Sequence, residues 1–199
     1  MLRIALTGGI ATGKSYVLEQ FRRLGVPSLD ADVLAHGVMA AGTEATAEIA
    51  ARFGNDILDP QGAVARDRLG PLVFADPGAR RDLEAIVHPA VYRAIAAGLR
   101  AFELLGSRAA VVDIPLLFET GRARDFDAVV VTACSSAVQR ERLAARGLTD
   151  TEIEQRLSAQ ISTEEKTSRA DYVIRTDGSY AETDARVRDV ADALMKRVR

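Results

Sequence analysis

Eight consecutive residues, Gly8-Gly9-Ile10-Ala11-Thr12-Gly13-Lys14-Ser15, carry the densest chemical signal in the chain. They fit the pattern Gly, any four residues, Gly, Lys, then Ser or Thr, which is a spacing that suits a polyphosphate. A glycine-rich turn points backbone N–H groups inward, and a helix starting behind it adds unpaired N–H groups and the positive end of its dipole. Lys14 then reaches the β- and γ-phosphates, and the Ser15 hydroxyl ligates the Mg²⁺ that bridges them. Composition alone yields roughly 0.002 chance matches to this pattern, so a glycine-rich sequence does not explain it. A dinucleotide fingerprint would need Gly where Ile10 or Ala11 stands, and it gives Lys14 no task. A guanine-reading Asn-Lys-x-Asp or Thr-Lys-x-Asp element is absent, because the other lysines, Lys166 and Lys196, have different surroundings.

Other residues stand where such a loop would use them. Asp32 follows a short second strand, and open parallel sheets bind ligands beyond the carboxyl ends of their strands, so its carboxylate is expected to face the same crevice and accept a hydroxyl proton. Equally, Asp30 can cap the next helix and leave Asp32 as a solvated first-turn acid. Asp113 closes a third strand, where an acid can stand near Mg²⁺ through water or simply solvate the strand end. His88 precedes Pro89, which suits the first turn of a following helix, so His88 reads as a cap or as a substrate contact. Gln139, Arg142 and Arg146 share one helical face by spacing; that face is either a solvated stripe or a source of charge compensation for a transferred phosphoryl group.

The elements that must position these residues alternate in type. Leu2–Thr7 is an apolar run ending at Gly8-Gly9, a buried strand; a helix is expected from Lys14 to about Leu24, before Gly25, and a second strand over Val26–Leu29. Strand, helix and strand in about 30 residues imply a parallel sheet. From Val33 to Ser107 only helical patterns occur, broken near Gly42, Pro60, Gly62, Pro77 and Pro89. Ala109–Asp113, Asp127–Thr132 and Asp171–Ile174 complete five strands, a polar helical stretch fills 136–170, and a helix closes the chain from about Tyr180 to Val198. The expected fold is α/β, a P-loop NTPase with a five-stranded parallel sheet flanked by helices. Its core takes 1–31, 108–135 and 171–199, with a helical acceptor-binding insertion at 32–107 and a helical lid at 136–170.

Composition agrees with a folded enzyme. Over 199 residues, 26 Lys+Arg balance 28 Asp+Glu to a net charge of −2, which removes the electrostatic motive for a nucleic acid or anionic membrane partner. Hydrophobic residues at 48% supply a core without staples, and one cysteine and two histidines exclude an internal disulfide and a structural zinc site. No apolar run approaches 18 residues, and the N-terminus runs straight into a strand, so the expectation is a cytoplasmic protein of open oligomeric state acting on a small molecule.

Taken together, these elements closely resemble the dephospho-CoA kinase family over nearly the whole chain. The resemblance rests on Leu6-Thr7-Gly8-Gly9-Ile10 running into Gly13-Lys14-Ser15, on Asp30-Ala31-Asp32 with His36, and on Arg66, Leu69 and Val73-Phe74. It continues through His88-Pro89, Pro115-Leu116-Leu117-Phe118-Glu119, Gln139 with Arg142 and Arg146, Gln160, and Ala170-Asp171-Tyr172-Val173-Ile174. It implies transfer of the ATP γ-phosphoryl group to the ribose 3′-hydroxyl of dephospho-CoA. Asp32 then looks like the acceptor-side carboxylate, and His36, Arg66, His88 and Leu116 like the acceptor pocket. Gly8, Gly9, Ala11, Thr12, Gly13, Lys14, Ser15 and Tyr16 would hold the nucleotide with the lid arginines Arg142 and Arg146, and Ser15 and Asp113 would hold Mg²⁺. Ala11 stands where the family usually has Gly, Tyr16 where it has Thr, and Thr176 where Asn is common. The loop is expected to survive if Ala11 keeps a negative φ. Rival readings are another small-molecule P-loop kinase and a nucleotide-binding regulator without an acceptor.

Overall fold

A computed structural model of the chain describes residues 1–198. They form two compact units, one of Met1–Leu29 with the chain from Ala101 onward, and one of Asp30–Arg100.

The first unit is built on a five-stranded sheet in the order β2-β3-β1-β4-β5. Its strands are β1 (Leu2–Gly8), β2 (Ser28–Asp30), β3 (Ala109–Asp113), β4 (Ala128–Ala133) and β5 (Tyr172–Arg175). β1 pairs in parallel with β3 and with β4, and β4 pairs in parallel with β5. Ile4, Leu6, Val111, Val130 and Ile174 alternate onto one face against Val17, Leu18 and Phe21 of α1 (Lys14–Arg23) and Val187 and Leu194 of α9 (Tyr180–Lys196). β3 and β4 are buried along their whole length, so their sequences read as continuous apolar runs. β2 begins two residues later than expected: Pro27 lacks an N–H and contributes only its carbonyl, which accepts from Val111 N–H at 2.9 Å.

Between β4 and β5 lie α6 (Ser136–Ala144), α7 (Asp150–Ser158) and α8 (Thr163–Ser168). Each starts on a hydroxyl cap, from Ser135, Thr149 and Ser162 respectively. Leu143 and Ile153 pack with Ala11 in a small apolar cluster, with Ile10 at its edge.

The second unit is helical, with no strand among the described residues beyond a single bridge between Leu58 and Val64. It holds α2 (Ala31–Val38), α3 (Glu44–Phe53), α4 (Arg66–Ala75) and most of α5 (Pro77–Leu104), around Ile49, Ile57, Val64 and Leu69. The expected break at His88-Pro89 does not occur: α5 runs through Pro89 for 28 residues. Pro89 forfeits one bond to the Ala85 carbonyl, which is a local loss that twenty-eight residues of helix absorb, and the true start is Pro77, where a missing N–H costs nothing.

The last helix suits a test of local energetics. Ser179 and Glu182 form a capping box at the start of α9, and the Ser179 N–H and hydroxyl hold the Glu182 carboxyl below the usual carboxylate range. A depressed folded pKa adds stability that is complete above the unfolded value and lost as pH falls through the folded one. In thermal melts between about pH 6 and pH 3, Glu182→Gln should therefore lose less Tm than the unsubstituted protein, and equal slopes would remove the capping carboxylate from the acid response.

Candidate active site

The loop between β1 and α1 is held by its carbonyls. The Gly9 carbonyl accepts from Thr12 Oγ1 at 2.7 Å and Thr12 N–H at 3.3 Å, and the Ile10 carbonyl from Gln139 Nε2 at 2.8 Å. The Ala11 carbonyl accepts from Arg142 Nη1 at 3.1 Å, the Thr12 carbonyl from Thr176 Oγ1 at 2.9 Å, and the Gly13 carbonyl from Val17 N–H at 3.1 Å. Five consecutive acceptors are thus satisfied by protein donors. Among the N–H groups, Ile10 is taken by Gln160 Oε1 at 3.0 Å and Thr12 by Gly9. Those of Ala11 and Gly13 have no partner among the described residues, and those of Lys14 and Ser15 are the orphan donors of a helix start. A run of unpaired amides whose carbonyls are tied back has the chemistry of an anion cradle.

Two residues bend this loop. Gly13 takes φ 84° and Ala11 takes φ 60°, so the condition of a negative φ at Ala11 is not met and the loop keeps its shape by other means. A left-handed alanine costs about 1–2 kcal/mol, offset here by the apolar contacts of its buried side chain and the Arg142 bond to its carbonyl. Gly8 is required for space: a Cβ there would lie 2.2 Å from Thr132 Oγ1 and 2.6 Å from the Thr132 carbonyl oxygen. Thr12 is fully buried, with its hydroxyl 2.7 Å from that of Thr132.

Around the cradle, Lys14 starts α1 and its ammonium group has no partner among the described residues; Ser15 is exposed beside it. Asp113 ends β3 in register with Leu6, two residues before the loop, and is buried. Leu116 lies half exposed in the turns after β3. Arg142 spreads its guanidinium over the Ala11 carbonyl and the Thr176 carbonyl and hydroxyl. Arg146 falls past the end of α6, exposed, and its guanidinium has no partner among the described residues. Gln139 is buried, so the solvated-stripe reading of this face does not hold. Tyr16, Arg142, Arg146, Thr176 and Tyr180 line a pocket of about 600 Å³ opening beside Ala11 and Gly13. Cys134 is buried under the Ala11 carbonyl, and its burial pushes the thiol pKa up.

In the second unit, Asp32 stands exposed in the first turn of α2, and Asp30 caps that helix by accepting from the N–H groups of Asp32 and Val33. His36 lies one turn further along α2 and contacts the Arg66 guanidinium. His88 is exposed on α5.

Sequence patterns marked some of these positions without their roles. Thr176, Gln139 and Gln160 brace the loop, and nothing in their spacing marks that bracing. Lys166 is wholly buried, donates to the Pro115 carbonyl at 3.1 Å and pairs with Glu119 at 2.8 Å; Glu119 also accepts from Ile161 N–H. This buried pair ties α8 to the turns after β3. Removing one partner strands the other charge, at a cost of about 2–3 kcal/mol given the partial exposure of Glu119. In urea unfolding, Lys166→Met should lower stability by that amount, and adding Glu119→Gln should restore part of it. Additive losses in the double variant would show that the pair is not coupled.

Comparison with known proteins follows the same lines. The family model described as Dephospho-CoA kinase matches residues 2–182. A protein of that name from Anaeromyxobacter dehalogenans is 49% identical over 88% of this chain and 84% of its own, and another from Syntrophotalea carbinolica is 42% identical over 100% and 92%. Among solved structures, TT1252 from Thermus thermophilus superposes with TM-score 0.82 at 34% identity over 96% of both chains, and dephospho-CoA kinase from Campylobacter jejuni with 0.76 at 28% over 98% and 97%. Shikimate kinase from Acinetobacter baumannii, at 19% identity and TM-score 0.51, shares the fold alone, that of P-loop NTPases. Matched across most of its length by both the family model and these relatives, this chain belongs to the dephospho-CoA kinase family.

Proposed function

We propose that the chain transfers the γ-phosphoryl group of ATP to the ribose 3′-hydroxyl of dephospho-CoA, giving CoA and ADP in the last step of coenzyme A synthesis. The observation that carries this reading is the family match over residues 2–182, which takes in the amide cradle, Asp32, His88 and Arg142 together.

In this reading the free amides of Ala11, Gly13, Lys14 and Ser15 bind the β-phosphate, and Lys14 bridges to the γ-phosphate. The base and ribose occupy the pocket beside Ala11, with Arg146 near the phosphates. Arg142 acts mainly by fixing the loop, because its donors are spent on carbonyls and on Thr176. His36, Arg66, His88 and Leu116 contact the acceptor. The acceptor oxygen forms the new bond to phosphorus, the bond to the ADP oxygen breaks, and the hydroxyl proton passes to Asp32. A loose transition state asks for little early proton removal, so positioning and charge neutralisation matter most.

The residues also suit Mg²⁺. Ser15 and Asp113 offer hard oxygen donors, and no group of three or more His, Cys, Asp or Glu could form a protein cage among the described residues. Two protein oxygens leave the other positions to phosphate and water, which Mg²⁺ prefers. When bound, the ion neutralises charge on the β- and γ-oxygens. No described helix is long and apolar enough to cross a membrane, which fits a small-molecule substrate met in water.

The acceptor decides between this reading and its rivals. Supplied with ATP and, in turn, dephospho-CoA, AMP or pantetheine, the protein should release ADP stoichiometrically only with dephospho-CoA; turnover with AMP alone would point to a nucleoside monophosphate kinase, and ATP binding without any turnover to a regulator. Lys14→Ala should lower kcat by roughly 10²–10³-fold in a coupled ADP assay, the scale of a lost preorganised donor. An unchanged rate would remove Lys14 from the chemistry.

A further inference from the structure

We infer that Tyr180, backed by Tyr16, is the stacking platform for the nucleotide base, and that the pocket it forms selects only weakly between purines. The inference rests on the nucleotide reading above and goes further, to what sets base preference.

Tyr180 is the first residue of α9, fixed in place by the Ser179–Glu182 capping box, yet its side chain is 74% exposed. A large aromatic left so open at the lip of a 600 Å³ pocket has an unused face. Its other contact is Tyr16, with ring centroids 4.7 Å apart and planes tilted by 40°. Tyr16 cannot swing away, since its hydroxyl donates to Asp184 at 2.7 Å. The two rings, one from α1 and one from α9, together make an aromatic wall of the pocket.

The polar side chains of the same pocket are already committed. Thr176 Oγ1 donates to the Thr12 carbonyl, Thr183 Oγ1 to the Ser179 carbonyl at 3.2 Å, and the Ser179 hydroxyl pairs with Glu182. Arg142 spends its donors on Ala11 and Thr176. Among the described residues the Arg146 guanidinium and the Tyr180 hydroxyl are the lining groups left without a hydrogen-bond partner; a guanidinium offers only donors, which the N7 acceptor shared by adenine and guanine satisfies equally, and a phenol hydroxyl is one rotatable group that donates or accepts as the base requires. Discrimination between those bases needs a donor and an acceptor placed together on one edge, as a carboxamide supplies, and no such side chain lines the pocket. Stacking remains, and every base has a π face.

The test measures kcat/KM for ATP and GTP at saturating dephospho-CoA. A ratio below about tenfold is expected, and a larger one overturns the inference. Tyr180→Ala should raise KM for both nucleotides about 5–10-fold, and Tyr180→Phe, which keeps the ring, should recover most of that loss. An effect confined to ATP, or no effect on either, overturns the platform. If the unsubstituted protein turns over neither nucleotide with dephospho-CoA, the kinase reading fails on its own. Equilibrium titrations with ATP and GTP, followed by tyrosine fluorescence in a chain without tryptophan, then still decide the platform by the same ratios.

Discussion

The constraint on which the rest depends is that the carbonyls of Gly9 through Gly13 are each claimed by a protein donor. A peptide unit carries its N–H and C=O on opposite sides, so fixing the carbonyls fixes where the amides point. Polyphosphate binding then requires no reorganisation of the loop at the moment of reaction, which is the condition under which such dipoles act most strongly. Thr12 and Val17 are local donors, but the other three come from distant parts of the chain: Gln139 and Arg142 from α6 and Thr176 from just past β5. The loop is therefore a product of the first unit as well as of its own eight residues.

This arrangement has a cost that the fold offsets locally. Ala11 sits in a left-handed conformation, and Lys166 is wholly buried. Each would be destabilising in isolation. Ala11 recovers through its packing with Leu143 and Ile153 and through Arg142; Lys166 recovers through Glu119 and the Pro115 carbonyl. Both compensations come from the 136–170 segment or touch it, so that segment helps to hold the loop in shape even without a nucleotide.

How much of this was legible in the sequence depends on the range of the interaction. Strand, loop and helix from Leu2 to Arg23 were readable because apolar period, glycine and the Lys-Ser pair are all local signals. All five strands were placed to within two residues at their ends, and β3 and β4, buried on both faces, stand out most plainly as apolar runs. One local rule gave the wrong answer: Pro89 read as a helix start, but a long helix tolerates one lost bond. The left-handed Ala11 had no local signal, because a lone alanine prefers a negative φ. The bracing by Gln139, Gln160 and Thr176 and the Lys166–Glu119 pair were not legible, because their partners lie 47 to 164 residues away, several of them unmarked main-chain groups of the loop. Thr176 is the clearest instance: as a sequence position it is only a departure from a common Asn, whereas its hydroxyl is a strut beneath the loop.

The same struts limit how the helices over 136–170 can move. Were they to swing as one rigid body, the bonds from Gln139 and Gln160 to Ile10, from Arg142 to Ala11 and Thr176, and from Lys166 to Pro115 would all break. At about 1 kcal/mol net for each neutral bond and more for the charged ones, that sum rivals much of the stability of a domain. Such a swing would also release the carbonyls that orient the amides, and so dismantle the cradle. Closure that leaves the struts intact must bend the chain past α6, and the first free cation beyond that point is Arg146, whose guanidinium has no partner among the described residues. The two neighbouring arginines thus differ in kind: Arg142 is tethered and keeps the loop in shape, and Arg146 is untethered, as the proposed contact with the phosphates requires.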